Sequence, residues 1–73
     1  MKIKSGQNII VRDRRKGTFK ATAIADFDTE EDEFYPVITR QFVHGMSMDW
    51  DVGEEIPCRR GLSTIIEEKE NRP

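Results

Sequence analysis

The apolar residues of this chain are drawn from a narrow set: eight Ile and four Val stand against a single Leu and three Ala, and five Thr add to the β-branched total. Two heavy atoms on Cβ restrict χ1 in a helix and pack well on a pleated sheet, so this bias predicts an all-β domain. The punctuation agrees. Gly6, Gly17, Gly45, Gly53 and Gly61 cut the 73 residues into short pieces, and Pro36 and Pro57, which cannot donate to a ladder, suit strand ends and edges. A chain of this length makes one domain whose core supplies only about 3–5 kcal/mol unaided, which favours support from a second subunit.

Between the breaks, Asn8 to Asp13 with Ile9, Ile10 and Val11 reads as the first strand, and Arg14 to Gly17 as a polar hairpin loop closed by glycine. From Thr18 to Asp28 the pattern alternates, with Phe19, Ala21, Ala23, Ala25 and Phe27 on one face and Lys20, Thr22, Ile24 and Asp26 on the other. The three alanines call for something bulky opposite them, and Trp50 and Tyr35 are the candidates. Thr29 to Glu33 is an acidic loop. Phe34 to Phe42, Glu54 to Arg59 and Leu62 to Glu67 are three further strands, the last two joined by a turn at Arg60-Gly61. Val43 to Val52 fits either a short strand or a loop carrying Met46, Met48 and Trp50, and residues 68–73 read as a polar, disordered tail to a domain spanning residues 1–67. Five short strands with tight connections fit a small closed or half-closed barrel.

Charge narrows the function. Twelve basic and 14 acidic residues leave a net charge of −2, so no field of one sign draws the chain toward duplex DNA or anionic lipid. Single copies of cysteine (Cys58) and histidine (His44) exclude an internal disulfide and a multi-thiolate zinc site, and nothing in the pattern brings the two together as nucleophile and base. Cys58 reads as a small buried thiol beside Ile56, and His44 as a turn or surface residue. Asp26, Asp28, Glu30 and Asp32 alternate like the start of a calcium loop, but Glu31 stands where that loop needs glycine and Val37 where it needs a bidentate glutamate. The expectation is no enzyme, no metal and no cofactor. No apolar run approaches a membrane span and no leader segment is visible, so the chain reads as soluble and cytoplasmic.

Two groups of residues remain as binding candidates. Arg12, Arg14, Arg15 and Lys16 surround the first hairpin and Arg59 and Arg60 the last turn, where guanidinium forks suit a small anionic ligand. Nucleic acid is the less favoured reading, because eight acidic residues between Asp26 and Asp51 would repel a polyanion. The second group follows from a resemblance. Ala23-Ile24-Ala25-Asp26-Phe27-Asp28, with the acidic Thr29 to Glu33 and Phe34 after it, resembles the opening of a Src-homology-3 domain. Trp50 and Gly53-Glu54-Glu55-Ile56-Pro57 resemble later pieces of that family. Ala25 replaces the family's first aromatic, and Cys58-Arg59-Arg60-Gly61-Leu62 replaces the tyrosine expected after the proline. The resemblance implies a five-stranded barrel of that shape, in which Phe27, Glu31, Asp32, Trp50 and Pro57 line a groove for an extended proline-rich segment of a protein partner. Separately from the resemblance, Tyr35 belongs with Phe42, Met46, Met48 and Trp50 to a cluster that reads first as core and second as contact area for a partner.

Together these features predict a non-enzymatic binding protein that holds a protein partner or a small, nucleotide-like anion and self-associates. In size and style it is like the accessory proteins by which phages and mobile elements inhibit or sequester host factors. A nucleic-acid-associated barrel module or a peptide-recognising adaptor is the alternative.

Overall fold

The computed structural model describes residues 1–44 and 52–68, with the backbone alone for residues 42–44. Met46, Met48, Trp50 and the tail from residue 69 lie outside the described residues, as does most of the segment that could be strand or loop. The described chain is all-β. Its strands are β1 (Lys2–Ile3), β2 (Asn8–Asp13), β3 (Gly17–Ala23), β4 (Phe27–Asp28), β5 (Phe34–His44), β6 (Glu55–Arg59) and β7 (Ser63–Glu67). Antiparallel pairing arranges five of them in the order β6-β5-β3-β2-β7, and β1 pairs with β4 in a separate two-stranded sheet.

Two of the expectations are corrected. The single alternating strand from Thr18 to Asp28 is two strands, β3 ending at Ala23 and β4 beginning at Phe27. The chain leaves the sheet there because Ser5 N–H donates to Asp26 Oδ1 (2.7 Å) and the β1–β4 ladder takes over, so Ala25 is exposed rather than inward and Ile24 is 42% exposed. Two-residue β1 carries no periodic signal and was not anticipated; only its pairing with Phe27–Asp28 makes it a strand.

The five-stranded sheet cannot be flat. Its margins, β6 and β7, are separated by four strand spacings, about 19 Å in a flat sheet, yet they are consecutive in sequence. The four steps of chain from Arg59 to Ser63 reach at most about 14 Å, and Arg59 N–H donates to Ser63 Oγ at 3.3 Å. The sheet therefore curls until its two margins meet at one end. Two register shifts where β5 carries an extra residue against β3, between Thr18 and Phe19 and between Lys20 and Ala21, supply local bending. No ladder joins β6 to β7, so the result is a half-barrel rather than a closed one.

Inside the curl lie Ile9, Val11, Phe19, Ala21, Val37 and Ile56, each fully buried, with Ile3, Ala23 and Ile65 completing the core. Phe27 and Tyr35 are buried and stack at 5.0 Å between ring centroids and 18° between planes. The prolines are accommodated by register. Pro36 and Pro57 face one another across β5 and β6 at a pair that exchanges no hydrogen bonds; Pro36 O turns toward β3 and accepts from Ile24 N–H (3.0 Å), where that strand has ended.

Candidate functional site

The β2–β3 turn is organised by one carboxylate. Asp13 Oδ1 accepts hydrogen bonds from the N–H groups of Arg15 (2.8 Å) and Lys16 (3.0 Å), the geometry of an Asx turn, and Gly17 closes it at φ 87°. Asp13 Oδ2 accepts from Ser63 Oγ–H (2.6 Å) and lies 3.9 Å from Lys16 Nζ. Arg14 N–H donates to Leu62 O (3.0 Å), and Ser63 Oγ in turn accepts from Arg59 N–H, so the first turn and the last are stitched side by side at one end of the half-barrel. Burial alone would push the Asp13 carboxyl up; the bonds from Ser63, Arg15 and Lys16 and the Lys16 ammonium outweigh it and hold Asp13 below the usual carboxylate range.

This arrangement divides the six basic candidates. Lys16 is only 6% exposed and its charge faces Asp13, so it is part of the framework. Arg59 pairs with Glu33 (3.1 Å) and lies 5.5 Å over the Phe34 ring, while Arg60 donates from Nη1 to Glu30 O (2.5 Å) and from its backbone to Glu33 O (2.9 Å). Arg12, Arg14 and Arg15 are exposed, and none of them forms an ion pair among the described residues. Three unpaired guanidinium groups thus sit on or beside a turn whose backbone is fixed from below.

The acidic loop is built the other way. Asp28 Oδ1 accepts from Glu30 N–H (2.9 Å) and lies 3.6 Å from the Met1 ammonium, Asp32 Oδ2 accepts from Asp28 N–H (2.7 Å), and Tyr35 Oη–H donates to Thr29 O (2.7 Å). The Glu30 amide is the largest of the influences that lower the Asp28 carboxyl below its ordinary value. These carboxylates hold the loop's own backbone. Among the described residues no three His, Cys, Asp or Glu side chains gather around a common point.

The residues expected to line one groove lie along two recesses. Phe27, Glu31 and Asp32 border a recess of about 280 Å³ with Lys2 and Lys4, and Tyr35 and Pro57 border another of about 400 Å³ with exposed Phe34 and Pro36. The stacked pair gives one ring to each, and both rings are buried, Phe27 5% and Tyr35 4% exposed. Trp50 lies outside the described residues.

Cys58 is buried, and burial pushes its thiol up to about 11, so at neutral pH it is a protonated core group. Two residues that matter here carried no expectation. Asp13 reads in sequence as the last residue of a strand, although an aspartate followed three positions on by a lysine and then glycine is a recognisable turn signal. Arg40, the extra residue at the second register shift, donates from Nε to Ala21 O (3.1 Å) and from Nη2 to Glu68 Oε1 (2.6 Å), tying β5 to the end of β7. No helix among the described residues is long and apolar enough to cross a membrane. Comparison with known proteins finds no matching family model, no matching curated protein and no matching solved structure.

Proposed function

We propose that this protein is a non-catalytic binding module that captures a compact anionic group at the tip formed by the β2–β3 turn. The observation that carries this reading is the set of three exposed arginines, Arg12, Arg14 and Arg15, which form no ion pair among the described residues and sit on or beside a turn held by Asp13 and Ser63. A preorganised turn loses little conformational freedom when an anion docks, and guanidinium forks match phosphate or carboxylate oxygens bidentately. Arg60 N–H and side chain are engaged by the acidic loop, so Arg59 and Arg60 serve as the wall of the tip rather than as its primary contacts. A small ligand suits the site better than a long polyanion, because Arg59 is paired with the Glu33 carboxylate and the Arg60 side chain is held by Glu30 O, so the acidic loop adjoins the tip. In this reading the protein sequesters a nucleotide-like ligand or blocks the anionic site of a partner.

Calorimetric titration with ATP, ADP and inorganic pyrophosphate, followed by the same titration of an Arg12→Ala/Arg14→Ala/Arg15→Ala variant, tests it. Saturable binding that weakens at least tenfold in the variant is the expected result. No heat with any of the three ligands, or binding that survives the triple substitution, overturns it. A labelled oligonucleotide whose affinity exceeds that of ATP and falls steeply with salt would assign the tip to nucleic acid instead.

A further inference from the structure

Alternation along the strands assigns the two faces of the curled sheet. In β2 and β3 the side chains of Ile9, Val11, Phe19 and Ala21 enter the core, so those of Ile10, Arg12, Thr18 and Lys20 stand on the outer face; in β7 the buried Ser63 and Ile65 leave Thr64 and Ile66 outside. Register then sets these six in two rows. Arg12 is opposite Thr18 on one side and Thr64 on the other, and Ile10 is opposite Lys20 and Ile66. Opposed side chains stand about 5 Å apart and diagonal ones about 7–8 Å, so Arg12 and Lys20 are neighbours on one surface.

The charge on this surface is of one sign. None of the six residues is acidic, Arg12 and Thr64 are exposed, Thr18 and Lys20 are half-buried, and neither Arg12 nor Lys20 forms an ion pair among the described residues. The carboxylates nearest in the chain are engaged elsewhere. Asp13, between Arg12 and Arg14, points inward to Ser63 and Lys16, while at the end of β7 Glu67 accepts from Gln7 Nε2 (3.4 Å) and Glu68 from Arg40 Nη2 (2.6 Å). In the next row of the same face Thr22 Oγ1 donates to Asn8 Oδ1 (2.8 Å).

We infer that the anion site runs from the β2–β3 turn down the outer face to Lys20, and that its ligand is a chain of linked phosphates rather than a single phosphate. This rests on the anion-binding reading and extends it. Arg14 lies two residues beyond Arg12, and Lys20 stands level with Ile10, two residues before it, so cationic side chains recur in steps of about 7 Å along the strands. A single phosphate occupies the fork of one such level, whereas a chain of three presents charged oxygens to successive levels. Lys20 supplies a point charge with three donors at the far end, and the hydroxyls of Thr18 and Thr64 flank the Arg12 guanidinium as further donors.

The test titrates the full chain with pyrophosphate, inorganic tripolyphosphate and ATP by calorimetry. Affinity should rise about tenfold from pyrophosphate to tripolyphosphate, with ATP within about threefold of tripolyphosphate, because the contacts are to phosphates. Lys20→Gln should erase that rise, weakening tripolyphosphate about tenfold and pyrophosphate less than about twofold. Lys2→Gln, which removes the same charge from β1, should leave the series unchanged. In the unsubstituted chain the backbone amides of Thr18, Lys20 and Thr64 should shift in NMR spectra as tripolyphosphate is added, a readout that needs no variant to fold. Equal affinity for pyrophosphate and tripolyphosphate, tight ATP beside weak tripolyphosphate, equal losses in the two lysine variants, or shifts confined to residues 13–17 would each overturn the inference while leaving anion capture at the turn intact. Binding of none of the three by the unsubstituted chain would overturn both.

Discussion

The tip at residues 12–16 and the loop at residues 26–33 are both dense in charge, and they use that charge differently. In the loop the carboxylates of Asp26, Asp28 and Asp32 accept bonds from backbone amides, and an exposed segment is held in shape by its own side chains. At the tip one carboxylate, Asp13, does that work alone from a buried position, and Lys16 answers it. The three neighbouring arginines form no ion pair among the described residues. Charge counted in a sequence is not charge available to a ligand; what is available is what remains after the backbone has been satisfied.

Asp13→Ala should produce the largest effect, because it strands a buried ammonium, two turn amides and the Ser63 hydroxyl at once. A loss of about 3 kcal/mol of stability is expected, measured by chemical denaturation. The same group predicts a pH dependence. Its carboxyl titrates lower in the folded chain than in the unfolded one, so its contribution is complete well above the ordinary value of 3.8 and is lost as pH falls through that value toward the lower native one. Acid unfolding of the Asp13→Ala variant should therefore be flatter than that of the parent below about pH 4. An unchanged acid limb would show that Asp13 is not the keystone of the tip.

Tyr35→Phe sharpens the other side of the comparison. It removes the donor to Thr29 O while keeping the ring on Phe27, so a loss of about 1 kcal/mol is expected, with faster amide exchange confined to residues 28–33. Protection lost equally at the tip would mean that the two ends are not independent. The smallest effect belongs to Arg14→Ala with Arg15→Ala, which should change stability by less than about 0.5 kcal/mol, since both side chains are exposed and form no ion pair among the described residues. A larger loss would show that these arginines are structural and would remove the argument that they are kept for a ligand.

Much of the sheet was legible because its cause is local. Asn8–Asp13 was anticipated residue for residue, and the strands at 34, 55 and 63 began within one residue of expectation, since β-branched runs bounded by glycine and charge leave few other options. The candidate site was legible only in outline. The two basic clusters do meet, as a small barrel allows, yet nothing local distinguishes Lys16, which faces Asp13, from Arg15 beside it. Phe27 is marked as partner-facing by resemblance and Tyr35 belongs to a cluster that reads first as core; their stacking on one another became visible only once the chain was folded.

Side-chain branching, glycine spacing and period-two alternation are properties of neighbouring residues, and they determined on their own that this chain is a small β domain with a basic turn and an acidic loop. Which charges are paired within the fold, and where the strand after Ala23 breaks, were decided by contacts between residues tens of positions apart. Asp13 with Ser63, Lys2–Ile3 with Phe27–Asp28, and Pro36 with Pro57 have no local signature. Such pairings acquire their energy only when the sheet curls and brings its ends together.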